Sequence, residues 1–297
     1  MRLRRATRPV FAVQDEITTA VTGAIGPAIT GAEQQRATRK LPESLDAWEA
    51  YMRGQWHLAQ GNAADNHRAK QFLEQAIALD ATFASPYSAL ALAHNMDGTV
   101  YGTRPPHEAV RSMEIWADKA VKIDPDDADA HAMLSVAASW NSNQDEARDH
   151  VRLALYANPN SPTALAFGGS TLLFTGEPAQ ARPSLMSCLR LDPRGPLVAM
   201  VMQFIAVSYY FEHDYAKAAE EARLATVRYP KFPLTYRWLA AALGQLGRTE
   251  EARLALRSAI DLSPGLFDFY VRLRPPYRSA EDHEHMLEGL RRAGWRG

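Results

Sequence analysis

Five prolines, Pro125, Pro159, Pro193, Pro230 and Pro264, stand 34, 34, 37 and 34 residues apart. An interval held that closely along a chain marks a repeated structural unit rather than one continuous core. Residues 232–264, FPLTYRWLAAALGQLGRTEEARLALRSAIDLSP, show what is repeated. Tyr236, Leu239, Ala240 and Leu243 recur at intervals of three and four, which places them on one face of a helix. Leu246 and Gly247 end that helix, because glycine tolerates a left-handed cap. Thr249 is expected to cap a second helix, with Glu250 and Glu251 at the end where the helix dipole favours negative charge. Ala252, Leu256, Ala259 and Ile260 form its inner face, and Pro264 stops it.

Small residues keep the same register. Two antiparallel helices approach closely only where side chains are small, so each unit needs one such position on its first helix and two on its second. These are Ser135, Ala147 and Ala154 in one unit, and Gly169, Ala181 and Cys188 in the next. The third unit has Gln203, Ala218 and Ala225, and the fourth has Ala240, Ala252 and Ala259; only Gln203 is large. A period near 34 with two helices per unit resembles the tetratricopeptide repeat family. The resemblance implies an all-α, right-handed solenoid of about six helix pairs, with capping helices at both ends. The expected organisation is an amino-terminal helical segment over 1–42, repeats over 43–264 and a carboxy-terminal cap over 265–297.

Before the regular units, 44–61 and 65–79 read as a first helix pair. Helices near 85–96 and 107–123 form a second pair, joined by the long stretch DGTVYGTRPP. The segment 265–279, with Pro275 and Pro276, reads as a loop, and 280–293 as a final helix with Met286, Leu287 and Leu290 facing inward. Near the start, Val13, Ile17, Val21, Ile25 and Ile29 make one apolar helical stripe. Gly26 and Pro27 kink or split it. Such a stripe needs a surface to cover, either the first repeat, an upstream domain or a second copy of the chain.

The sequences FAVQDEITTAVTGAI and RKLPESLDAWEAYMRG, together with the tail RLRPPYRSAEDHEHMLEGLRRAGW, add a second resemblance. They look like a bacterial family in which a TolB-like domain leads into tetratricopeptide repeats. That architecture occurs in the carboxy-terminal halves of class III adenylate or guanylate cyclases and of winged-helix transcription regulators. The resemblance implies that residues 1–42 are the remnant of the upstream domain and that the catalytic or DNA-binding part lies outside this chain.

Composition excludes several function classes. The 33 basic and 34 acidic side chains nearly cancel, so no dedicated nucleic-acid surface is expected. Cys188 is the only cysteine, which rules out an internal disulfide and suggests a reducing, cytoplasmic setting. The apolar run 198–211 is shorter than the roughly 20 residues of a membrane span. Asp282, His283, Glu284 and His285 cluster in sequence, but histidines two apart diverge on a helix, so no metal site is expected. Gly168, Gly169 and Gly176 precede no GKS or GKT, and no GxSxG or Walker motif is present. No cofactor and no catalytic activity are therefore expected in this polypeptide.

The resemblance places a partner-binding groove on the first helix of each unit, which lines the inner curve of a solenoid. Family groove positions fall on Val136, Ser139 and Trp140, then Ser170, Leu173 and Phe174. In the last two units they fall on Met200, Phe204 and Val207, and on Leu234, Arg237 and Gln245. This wall is apolar and carries one cation, which suits an amphipathic helix or extended peptide rather than a clamped terminal carboxylate. The alternative is that these residues contact the next repeat or the amino-terminal helix. Two functions follow as expectations: a protein-interaction scaffold, or the regulatory half of a cyclase or transcription regulator. The packing argument is tested by Ala252→Trp, which should overfill the helix joint and cost about 1–3 kcal/mol in urea unfolding.

Overall fold

The computed structural model describes residues 45–272 and 276–297. Among the described residues every regular element is an α-helix. The helices α1 (Leu45–Leu58) and α2 (Ala63–Leu79) form the first pair, and α3 (Ser85–Thr99) and α4 (Pro106–Ile123) the second. The regular pairs are α5 (Ala128–Trp140) with α6 (Gln144–Ala157), and α7 (Pro162–Phe174) with α8 (Pro178–Leu191). They continue with α9 (Val198–Phe211) and α10 (Tyr215–Arg228), then α11 (Pro233–Gln245) and α12 (Thr249–Leu262). Two more helices follow, α13 (Pro264–Arg272) and α14 (Ala280–Arg292). The expected helical segment over 1–42, with its stripe from Val13 to Ile29, lies outside the described residues.

One turn chemistry joins the helices of each regular pair. Ser142, Gly176, His213 and Gly247 occupy equivalent places and adopt φ of 62°, 91°, 63° and 71°. This left-handed residue lets the next amide reach back to the helix end: Asn143 N donates to Ala138 O at 2.8 Å and Glu177 N to Leu172 O at 2.8 Å. Asp214 N to Tyr209 O and Arg248 N to Leu243 O, each 3.0 Å, repeat the pattern. Carbonyls that a helix terminus would leave unpaired are thereby satisfied. First helices of the pairs are started by Asp127 and Ser161, whose side chains accept from Ala130 N and Ala164 N.

The small-residue register is the packing joint. Ser135, Ala147, Ala154, Ala181, Ala240 and Ala252 are fully buried, and Cys188, Ala218, Ala225 and Ala259 nearly so. A Cβ added at Gly169 would stand 2.8 Å from Leu185 Cδ2 and 3.4 Å from Ala181 O, so bare α7 backbone receives the Leu185 side chain of α8 there. Gln203 is buried at the same position despite its size.

Three local expectations are corrected. Residues 264–272 form α13 rather than a loop. Pro264 is its first residue, a place where the missing N–H costs nothing, and Leu266, Phe267, Tyr270 and Val271 give it a buried face. The stretch between the second pair is shorter than expected, because α3 continues to Thr99. Gly98 makes this possible: a Cβ there would lie 2.5 Å from Ala109 Cβ. Thr249 begins α12 instead of capping it; Arg248 stands at the cap, and the Thr249 hydroxyl donates to Gly247 O at 3.3 Å.

No helix among the described residues is long and apolar enough to cross a membrane. Ser142 adopts the left-handed conformation without being glycine, which costs it about 1 kcal/mol or more. Ser142→Gly should therefore raise the unfolding free energy by about 0.5–1 kcal/mol, less than the full strain because glycine also loosens the unfolded chain. Chemical denaturation of the two proteins reads the difference.

Candidate functional site

The first helices of the pairs lie side by side and enclose a cavity. Its lining comes from α3 (Asn95, Thr99), α5 (Val136, Ser139, Trp140), α7 (Phe167, Ser170, Thr171, Phe174), α9 (Met200, Gln203, Phe204) and α11 (Leu234, Arg237). Val100 just beyond α3, Tyr270 of α13 and Pro276 also line it. Nine of the twelve residues expected from sequence thus surround one space: Val136, Ser139, Trp140, Ser170, Phe174, Met200, Phe204, Leu234 and Arg237. Leu173 and Val207 are instead packed into the core, at 1% and 0% exposure. Gln245 lies apart from the cavity, where its Nε2 donates to Tyr210 Oη at 3.4 Å and His285 O at 3.5 Å.

The carboxy-terminal segment is seated on this wall. Ser139 Oγ donates to Pro276 O at 3.5 Å, and the Arg278 amide donates to Phe174 O at 2.9 Å. Arg278 Nη1 donates to Thr175 O at 3.2 Å. The Tyr277 ring stands edge-on to Phe174 at 5.4 Å and to Phe211 at 6.1 Å. Upstream, Phe269 stacks on Trp140 at 6.0 Å, and Tyr270 Oη donates to Thr99 O at 2.9 Å. The segment therefore uses backbone hydrogen bonds and aromatic contacts, the two means by which a groove holds an extended peptide.

Helix α14 continues along α11 with its backbone in contact. A Cβ on Gly244 would lie 2.1 Å from Gly289 O, and one on Gly289 would lie 2.7 Å from Ala241 O. Met286, Leu290 and Ala293 are fully buried beneath it. Tyr210 Oη donates to His285 O at 2.8 Å, and Tyr215 Oη meets His285 Nε2 at 2.9 Å. Ala241, Gly244 and Tyr210 were missed in the sequence. The available signal was the run of small residues at 240–242 and 244, more than the pairing of α11 with α12 needs.

The histidines near the chain end are absorbed by this docking. His283 Nε2 lies 3.3 Å from Tyr270 O, and its ring is 5.1 Å from Tyr277. His285 stacks on Tyr210 at 4.6 Å and on His213 at 4.5 Å. Burial, and then the neighbouring His213, hold His285 below the ordinary imidazole pKa. Burial pushes the Tyr277 phenol up to about 12. Arg237 is 4% exposed, with the rings of Tyr270 and Trp238 at 4.3 and 5.4 Å from its guanidinium carbon. Burial lowers its pKa, and the neighbouring phenols only partly oppose this.

The pKa of His285 makes docking sensitive to acid. An undocked His285 regains its ordinary pKa, so between the two values the undocked form binds more protons and is favoured as pH falls. NMR titration should show α14 amides moving toward undocked positions on acidification. The same titration of His285→Gln should be flat, and an unchanged titration would contradict the assignment.

Three comparisons bear on this geometry. A tetratricopeptide repeat family profile matches residues 235–265, which contain most of α11, all of α12 and the start of α13. Over 147 residues the chain is 27% identical to "Putative adenylate cyclase 3" of Rhizobium meliloti (strain 1021). That match covers 49% of this chain and 25% of the relative, so the chain spans about a quarter of the length of the curated protein it matches. The type IV pilus biogenesis factor PilW superposes with a TM-score of 0.50 at 17% identity, over 71% of this chain and 89% of that one. A chain of the APC/C hetero-tetramer Cut9-Hcn1 superposes with a TM-score of 0.54 at 11% identity, over 76% of this chain and 39% of that one. The period, the paired helices, the profile match and the shared fold converge on one assignment: the described chain is an all-α solenoid of tetratricopeptide type, with a tetratricopeptide repeat at residues 235–265.

Proposed function

We propose that the chain is a protein-interaction scaffold whose inner groove holds an extended peptide or a partner domain. The observation that carries this reading is the seating of the carboxy-terminal segment. It lays an aromatic side chain, backbone hydrogen bonds and a docked helix on the wall that the repeats build. A partner would use the same contacts, either in place of this segment or beside it. Catalysis is not part of this reading, since the wall brings together no nucleophile with a base.

A second reading concerns context. The similarity to the Rhizobium relative supports a role as the tetratricopeptide half of an adenylate or guanylate cyclase, or of a related regulator. In that setting the docked segment would tune how the repeats meet the output domain. The coding frame upstream decides this: an intact cyclase or winged-helix domain supports the reading, and unrelated sequence counts against it.

The scaffold reading is tested by emptying the groove. Gly289→Leu inserts a side chain where Ala241 O already stands 2.7 Å from an ideal Cβ, and should unseat α14. A labelled peptide of residues 276–297 should then bind this variant in trans, while the wild-type chain, already occupied, binds it at least ~10-fold more weakly. Adding Phe174→Ala to the emptied chain should weaken the peptide again, because Tyr277 loses its edge-on ring. Equal binding by all three proteins, or by none, would remove the groove from the account.

A further inference from the structure

The cavity on the inner wall contains a charge that nothing among the described residues neutralises. Arg237 is 4% exposed, and its Nε and Nη1 have no hydrogen-bond partner. No carboxylate among the described residues lines the cavity. A buried cation without a counter-charge is costly, and folds retain one where it meets something. The rings of Tyr270 and Trp238 offset only part of that cost.

A second side chain points the same way. Gln203 lines the same cavity, is 4% exposed, and its Oε1 has no hydrogen-bond partner. It stands where the equivalent positions of other pairs hold Ser135, Gly169 and Ala240. A long polar side chain whose buried carbonyl lacks a partner is costly at a joint built for small ones. Its carboxamide can present Nε2 to a ligand by a simple flip.

The dimensions and lining narrow the ligand class. About 60 Å³ is open to the centres of water-sized groups, room for several such groups. Among the described residues one cation lines the space, and a single guanidinium balances one negative charge rather than the two of a phosphate at neutral pH. The remaining walls are largely aromatic and aliphatic. We infer that this cavity binds a small organic monocarboxylate: Arg237 holds the carboxylate, Gln203 donates beside it, and Phe167, Phe174 and Phe204 enclose the apolar body. Such a ligand would bind the repeat wall beneath Tyr270 and Pro276 and so couple to the seating of the carboxy-terminal segment. The inference stands on Arg237 and Gln203 and not on peptide binding in the groove.

Titration calorimetry on the full chain tests it, with sodium benzoate, benzamide and inorganic phosphate as probes at constant ionic strength. Benzoate should bind saturably at one site, and benzamide and phosphate at least ~10-fold more weakly. Arg237→Met should lose benzoate by ~10-fold or more while melting no lower than wild type, because it replaces an unpaired buried charge with an apolar side chain of similar length. Gln203→Ala, which restores the usual small residue, should weaken benzoate several-fold and leave the fold intact. No saturable benzoate binding, or equal binding by Arg237→Met, would overturn the assignment. Benzamide binding as tightly as benzoate would reduce the site to an apolar pocket. Phosphate binding more tightly would make it a dianion site. Binding of an acidic peptide where benzoate fails would give Arg237 to a protein partner instead.

Discussion

Close approach of helix backbones is the constraint on which this structure rests. Apart from Gln203, each joint position holds a residue no larger than serine or cysteine between two helices, and at Gly169 the first helix offers bare backbone to Leu185. The left-handed residue that follows each first helix folds the second one back onto that joint. Small side chains also lose little conformational entropy on burial, so the pairs form without the cost of ordering long side chains at their centres. The rule extends beyond the repeats: Gly244 and Gly289 bring α11 and α14 into backbone contact by the same means. The device that stacks the pairs therefore also fastens the end of the chain to their inner wall.

The inner wall departs from an ordinary core in one respect. A packed interior is apolar or has its polar groups paired. Here Arg237 and Gln203 keep buried atoms without partners and face one cavity, while Ser139 and Thr99 bond to the segment that roofs it. Helices α3, α5, α7, α9 and α11 all contribute to that space. A change in the roof is thus felt by five of the six first helices, which gives the docked segment a physical route to the whole stack.

The proline period, the small-residue register and the glycine turn at Gly247 made the repeat architecture legible in the sequence, because each reports a local constraint that recurs. Most of the wall was legible too, once the period placed residues such as Trp140 and Phe204 on one face. The role of the chain end was not. The pair Pro275 and Pro276 suggested a loop, and nothing local reveals that Tyr277 reaches Phe174 across about a hundred residues of sequence. Ala241 and Gly244 left only a weak trace, a run of small residues longer than the α11–α12 joint needs, which is easily absorbed into the repeat pattern. Gln203 stood out only as an exception to the small-residue rule, and its meaning required the cavity in view.

The central claim is that α14 rests on α11 as an integral part of the folded chain. Native-state amide hydrogen exchange at neutral pH measures this directly, because buried helix–helix contact slows exchange in both partners. The account predicts that amides of residues 286–290 are protected to nearly the same degree as those of 239–243. Exchange of 286–290 at the rate of an unfolded peptide, while 239–243 stay protected, would contradict it.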